Sequence, residues 1–261
     1  MKFPLLKTLC VLWLVAIGLL ALTAPILTSA DPYEQISSTM QTPTDHPPLG
    51  TDALGRDFFA RLTYGTRLSL SIPMLSTLLT ILFGTILSLT AIAVGGLVDR
   101  IILALTNAAL AIPGLLLAML LVAGFGPGLP TVVIAVGLGG IPGFVRLSRS
   151  IFLGIKEMGY IDAAYALGAS RIRVAFAHIL PNSAPQLLSL ATTHFAWAFM
   201  GATTLTFLGL SGDPSFPEWG AMLNSGRMHL IQSPRLTVIP GILISLTIFS
   251  VHYLGENYTE K

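Results

Sequence analysis

Long apolar runs alternate with short polar intervals along this chain, and their lengths predict membrane spans. Six runs stand out, at about 8–29, 69–95, 101–124, 130–147, 186–210 and 236–255. A helix needs roughly 20 apolar residues to cross a bilayer, and each run is close to that. The intervals carry turn formers: "GGLVDR" parts the second run from the third, and "GFGPGLP" parts the third from the fourth. Glycine and proline end helices and fill tight connections. No internal repeat or low-complexity segment is visible. The pattern predicts an all-α integral membrane protein of about six transmembrane helices.

Composition agrees. Hydrophobic residues make up 53% of the 261 positions and charged residues only 10%. Soluble domains carry roughly 25% charge. The mean hydropathy is +0.79. Such a chain cannot cover itself with polar surface, so lipid is its expected solvent. A formal net charge of +2 is too small to imply nucleic acid. Cys10 is the only cysteine, which excludes an internal disulfide and a cysteine-based metal site. The first run, Leu9 to Leu27, follows Lys2 and Lys7 and ends near "LTSA", in the manner of a signal peptide. Its 19 residues exceed the apolar core of such peptides, about 7–15. It reads as a first transmembrane helix.

Orientation follows from lysine and arginine, which favour the cytoplasmic side. With the N-terminus in the cytoplasm, the inner segments hold Lys2, Lys7, Arg100, Arg146, Arg149, Lys156, Arg171, Arg173 and Lys261. The outer ones hold Arg56, Arg61, Arg67, Arg227 and Arg235. The excess favours this orientation. It places 31–68 and 211–235 outside, and 148–185 in the cytoplasm.

The inner segment contains "IDAAYALGASRIRVAFAHILPN", residues 161–182. As a helix it would carry Asp162 early, where a carboxylate suits the positive helix end. Ala164 and Gly168 are four apart and would share a face, with Ala163 beside them. Pro181 would end the helix. The residues leave two readings open: an amphipathic connector lying on lipid or on its own bundle, or a docking helix whose stripped face admits another backbone.

This stretch resembles the EAA loop of ABC importer permeases, E-A-A-x3-G-x9-I-x-L-P. Here it reads Asp162-Ala163-Ala164, Gly168, then His178-Ile179-Leu180-Pro181. The spacing matches, with Asp162 in place of glutamate and His178 in place of isoleucine. "HPPLGTDALGRDFFARLTYGTRLSL" (46–70), "LTFLGL" (205–210) and "PEWGAML" (217–223) resemble the dipeptide/oligopeptide/nickel group, and within it the second, shorter C-type permease. The loop at 211–220 departs by carrying Asp213 and Pro214, and the tail after Leu254 is short.

The resemblance implies the type I importer permease fold, with a domain at 65–255. An N-terminal helix and external loop at 1–64 would precede it, and a short cytoplasmic tail at 256–261 would follow. It implies that Asp162, Ala163, Ala164, Gly168, Ala169, Ser170, Arg171 and Pro181 form a coupling helix docked on an ATPase. It also implies partners: a homologous permease, two ATP-binding subunits holding ATP and magnesium, and an extracytoplasmic binding protein. The substrate would be a peptide or related small solute, nickel chelates included.

Other residues are candidates by type and place. Gly50, Asp52, Gly55, Arg56, Asp57, Glu218 and Trp219 would form an external cap or gate. If the cap is helical there, Asp52 and Arg56 make an i,i+4 pair, worth about 0.2–0.5 kcal/mol when exposed. His194 and Trp197 fall inside the fifth run. Polar residues in spans turn toward the bundle interior, so both are pathway candidates or interhelical hydrogen-bond partners. The histidines show no metal-site spacing. No charged side chain lies in the central turns of the six runs, against a proton-coupled carrier. No G-x-x-x-x-G-K-[ST] occurs, so the chain has no phosphate cradle of its own. No nucleophile and base sit together, against a membrane enzyme. A stand-alone channel or secondary carrier is the remaining alternative.

Overall fold

The structure, a computed structural model, describes residues 4–46 and 48–256. Lys2, Lys261 and the expected tail beyond Glu256 lie outside the described residues. Among the described residues the chain is helical, with two isolated β-bridges, Gln35 to Arg56 and Thr51 to Asp57.

Helix α1 (Pro4–Leu27) is apolar on every side. Its buried residues Cys10, Ile17 and Ala24 recur every seven, which makes one narrow stripe. Leu12, Leu19 and Leu22 point outward, as expected where lipid is the solvent. The stripe lies on α11 (Arg235–Glu256), where Trp13 Nε1 donates to Thr247 Oγ1 at 3.2 Å.

Helix α2 (Phe58–Val94) has 37 residues, about 55 Å at 1.5 Å per residue. The hydrocarbon core is about 30 Å thick, so α2 projects beyond it. The sequence places this span at 69–95, but Asp57 caps the helix by accepting from Ala60 N. Residues 58–68, read as external loop, are therefore its first turns. Polar side chains there hide the helix from a hydropathy count.

The third run is not one straight span. It forms α3 (Gly96–Leu110) and α4 (Gly114–Phe125), set at 90° to each other. The break falls at Ala111-Ile112-Pro113, where Pro113 cannot continue the ladder. Helix α5 (Leu129–Lys156) overruns its predicted end by two turns. Among the described residues, four helices are long and apolar enough to cross a membrane, or five if α3 and α4 count as one span. The fifth expected span forms a helix, α9 (Ala184–Phe207), but it is less apolar and is not among these candidates. It packs against α2, α5 and α11, and an inner helix has less need to satisfy lipid.

The bundle centre is α2 crossing α5, with α9 against both. Small residues allow the close approach. Ser76 Oγ donates to Val133 O at 3.0 Å and Thr80 Oγ1 to Gly137 O at 2.7 Å. Ser148 Oγ meets Ser88 Oγ at 2.9 Å. A Cβ on Gly84 would lie 2.6 Å from the Phe144 ring. Lipid tails are as apolar as leucine, so helices in membranes hold together by packing and hydrogen bonds of this kind. Three apolar clusters stack along the bundle. The outer one includes Phe58, Phe199 and Trp219, the middle one Ile72, Val132 and Leu205, and the inner one Leu89, Phe152 and Ile161.

Candidate functional site

The inner segment differs from the single helix expected. Helix α6 (Gly159–Ala166) carries Asp162 in its first turn. It ends in a Schellman turn: Gly168 N donates to Tyr165 O at 2.9 Å, and Ala169 N to Ala164 O at 3.0 Å. Gly168 takes φ +86°, which a glycine adopts without cost. Gly168 is thus a turn residue and does not share a helical face with Ala164. Ser170 then caps a second helical stretch, its hydroxyl accepting from Arg173 N at 3.3 Å. This stretch comprises α7 (Arg171–Val174), a π-helical turn (Ala175–Ile179) and α8 (Leu180–Asn182). Ser183 keeps right-handed helical angles, and α9 follows. Pro181 sits inside this run and does not terminate it. The wider π turn directly before it is the usual adjustment around a residue that disturbs the helical ladder.

The small residues do not face outward as a group. Ala164 and Ala169 are half-buried and pack with Tyr165 on the inner cluster, beside Ile161, Val174 and Ile179. Asp162, Ala163, Gly168, Ser170 and Pro181 are exposed. The outward surface is apolar instead: Leu167 is 88% exposed, Ile172 67% and Phe176 61%. Arg171 turns back toward the bundle, donating to Val94 O at 3.2 Å. The sequence motif drew attention to the small residues and missed these three large ones. Ile172 carries a local signal, an apolar side chain between Arg171 and Arg173 in a segment assigned to water; Leu167 and Phe176, flanked by alanine and glycine, carry none.

On the opposite end, the expected cap is built on buried charge. Asp52 and Arg56 do pair, but in a loop and out of water. Asp52 Oδ2 accepts from Arg56 Nε at 2.8 Å and lies 3.2 Å from Arg61 Nε. Its Oδ1 accepts from the N–H of Leu54 and of Arg56. The exposed helical pair anticipated from spacing is therefore replaced by a buried triad. Arg61 also donates to Pro32 O at 2.9 Å and Ser215 O at 3.0 Å, tying three separate segments together. Sequence reasoning counted Arg61 only as charge; nothing local marks its reach to residue 215. Asp57 bonds His46 Nε2 at 3.1 Å besides capping α2. Gly50 and Gly55 take φ +78° and +76°, and a Cβ on either would strike a carbonyl of the 37–41 strand of loop.

Glu218 and Trp219 close the cap from the other side. Trp219 is fully buried, with Nε1 donating to Leu62 O at 3.2 Å. Glu218 caps α10 (Trp219–Arg227), accepting from Ala221 N at 2.9 Å and from Ser69 Oγ at 3.2 Å. Burial pushes its carboxyl above the usual range, while hydrogen bonds from Thr206, Gly220 N and Ala221 N pull the other way.

Between the two ends lies a cavity of ≈ 310 Å³ walled by α5, α9 and the end of α3. Its floor is Gly139, Gly140 and Gly143. His194 stacks on Trp197, with centroids 5.3 Å apart, and meets the Phe144 ring edge-on at 6.0 Å. A Cβ on Gly140 would overlap the His194 ring. His194 Nε2 is buried without a hydrogen-bond partner. A second cavity of ≈ 280 Å³ shares Gly139 and Trp197 with the first and reaches α4. Both sequence-predicted pathway residues are therefore on one wall. Among the described residues, no group of three or more His, Cys, Asp or Glu could hold a metal.

Comparison with known proteins fits this arrangement. Residues 80–258 match the family described as "Binding-protein-dependent transport system inner membrane component". The chain is 39% identical over 208 residues to the "Glutathione transport system permease protein GsiD" of Pectobacterium atrosepticum, covering 80% of this chain and 69% of that one. It is 38% identical over 239 residues to the "Dipeptide transport system permease protein DppC" of Alkalihalophilus pseudofirmus, covering 91% and 79%. With the "Di/tripeptide transport system permease protein DppC" of Pseudomonas aeruginosa it shares 36% over 252 residues, covering 94% and 83%. Among solved structures, the inward-facing MetNI methionine ABC transporter superposes with a TM-score of 0.63 at 18% identity, covering 76% of this chain and 94% of that one. An amino acid ABC transporter gives 0.58 at 15%, covering 77% and 94%. These two establish a shared fold, the type I importer permease fold.

Proposed function

Because the chain belongs to the family of binding-protein-dependent transport system inner-membrane components, and is a permease subunit of an ATP-driven importer, we propose that it moves small peptides inward across the membrane. The named substrates of its relatives, dipeptides, tripeptides and glutathione, support that class. Family members are permease subunits, not enzymes; ATP and magnesium would be held by separate subunits. The working assembly would pair this chain with a homologous permease over two ATP-binding subunits, with a binding protein delivering substrate outside. The N-terminus would lie in the cytoplasm.

The continuity of the second helical stretch carries the mechanism. From Arg171 the chain stays helical through the π turn, Pro181 and Ser183 into α9, and α9 bears His194 and Trp197 on the cavity wall. The span from Arg171 to His194 is about 35 Å along a helix. An ATPase gripping the exposed Leu167, Ile172 and Phe176 would displace α6 and α7, and α9 would carry that displacement to the cavity. Asp162, Ala163, Gly168 and Ser170 are exposed on the same segment. Rigid elements with two arrangements transmit such motions. The cap built on Asp52, Arg56, Asp57, Gly50, Gly55, Glu218 and Trp219 would serve as the platform for the binding protein.

The test is co-purification and uptake with Phe176→Asp. Gly168→Leu is less suitable, because a leucine at φ +86° strains the turn whatever docks there. A charge at position 176 should leave the chain inserted, strip the ATPase from it and stop ATP-dependent uptake. Normal uptake in this variant would end the docking assignment. A chain that purifies alone and still moves solute in liposomes would favour a stand-alone carrier.

A further inference from the structure

A cavity outside the pathway lies at the inner end of the bundle, beside the start of the segment that carries Ile172 and Phe176. It measures ≈ 500 Å³ and sits between the α2–α3 turn, the end of α5 and the start of α7. Two cations line it, Lys156 and Arg171. Lys156 Nζ reaches Ile92 O at 3.5 Å and Arg171 NH1 reaches Val94 O at 3.2 Å. These are long contacts to the free carbonyls at the end of α2. They use one donor of three on the lysine and one of five on the arginine. Neither cation has a salt-bridge partner among the described residues. Asp99, whose field Lys156 feels, is already gripped by Arg149 through two bonds of 2.7 Å. Two positive charges without a salt-bridge partner, around one cavity, suit an anion.

The remaining wall says what kind of anion. Gly95 and Gly96 form the α2–α3 turn with φ +69° and +59°, and open space lies where their side chains would be. A bulky headgroup can therefore reach the backbone. An apolar crevice of ≈ 180 Å³ lies further along the same helices, between Leu87 of α2, Ile102 and Leu105 of α3, and Pro142 of α5. Leu87 is seven residues above Val94, about 10 Å along the helix. Half the hydrocarbon core is about 15 Å. A basic mouth at the bilayer face with an apolar slot at acyl depth matches an amphiphile with an anionic head. Basic pockets between transmembrane helices bind anionic lipids in this way.

We propose that this cavity holds the phosphodiester headgroup of an anionic phospholipid on Lys156 and Arg171, with an acyl chain in the crevice between α2, α3 and α5. The site rests on α2 and α5 crossing the bilayer; it does not require the docking or substrate assignments above. A lipid there would brace the α2–α3 turn against the segment that the ATPase moves.

Native mass spectrometry of the full chain, stripped in mild detergent and then given phosphatidylglycerol or phosphatidylcholine, tests it. The wild-type chain should retain phosphatidylglycerol selectively. The double variant Lys156→Ala/Arg171→Ala should bind it roughly thirtyfold more weakly, about 2 kcal/mol for two basic residues. Arg227→Ala, an exposed arginine on α10 that does not line the cavity, should bind as wild type. If the double variant fails to fold, the single changes Lys156→Gln and Arg171→Gln, checked by melting temperature, carry the comparison. Equal retention of both lipids, or unchanged retention in the variants, overturns the proposal. Displacement by millimolar inorganic phosphate with no lipid selectivity would make it a free-anion site. Loss of a bound protein partner with lipid retention intact would assign the cavity to that partner instead.

Discussion

The two ends of this bundle are finished differently. At the outer end, several polar groups are buried and partnered within the chain: Asp52 holds Arg56 and Arg61, Glu218 holds the start of α10, and Trp219 is bonded through its ring nitrogen. At the inner end, Leu167, Ile172 and Phe176 stand in the open on an element that is anchored from behind by Ile161, Val174 and Ile179. An outer cap of this kind is a closed structure. The inner segment leaves an apolar face uncovered, the face proposed above to take an ATPase. If the segment faces water, as the proposed orientation has it, exposed apolar side chains there suit an interaction site.

The sharpest way to break that contrast is to open the cap. Asp52→Ala leaves Arg56 and Arg61 buried without their counter-charge, and removing one partner of a buried pair costs about 3–5 kcal/mol. The thermal midpoint of the purified protein should fall by several degrees, or the protein should fail to accumulate. A melting curve like the wild type's would show that the triad is not structural.

A smaller effect is expected at Glu218. Glu218→Ala strands Ala221 N and Ser69 Oγ, and a lost buried partner costs about 1–3 kcal/mol. Glu218→Gln keeps an acceptor and should lose less. The carboxyl titrates higher in the folded state than in the unfolded chain, so the folded state binds more protons in that window. Stability is then fully present below the unfolded value, about 4.3, and declines as pH rises through the raised folded one. Glu218→Gln should abolish that slope, and stability against pH for the two proteins measures it.

Gly168→Ala should cost roughly 1–2 kcal/mol, the penalty of an L-residue in the left-handed region, since the space for a methyl group is open. A larger loss would reveal a close neighbour that the structure does not have. Smallest in stability is Phe176→Asp. A surface change of this kind stays within about 0.5 kcal/mol, and the variant should differ from wild type only in ATPase recovery and uptake. Comparable melting losses at Phe176 and at Asp52 would erase the distinction between the two ends.

Much of this was legible from residue order. The positions of α1, α5, α9 and α11 follow from apolar runs, because hydropathy is a local property that lipid enforces directly. The motif spacing from Asp162 to Pro181 pointed to the inner segment. Its shape was misread, because a glycine four residues after an alanine fits both one helical face and a turn after a helix. Residues 58–68 were read as loop because Arg61 and Arg67 dilute the run, although Asp57 begins the helix. The 90° break at Ala111–Pro113 had one local sign, Pro113, inside an otherwise continuous apolar run.

The sequence by itself determined that this chain lives in a membrane, where its apolar runs lie, and which family's motifs it carries. Those facts depend on composition and spacing along the chain. Only the tertiary structure decided what each motif residue faces. Ala164 and Ala169 turned inward while Leu167 and Phe176 turned outward, Arg61 found carbonyls 154 residues away, and Lys156 met Arg171 across a cavity. Burial and charge pairing are set by which helices cross, and a local reading of the chain does not contain that information.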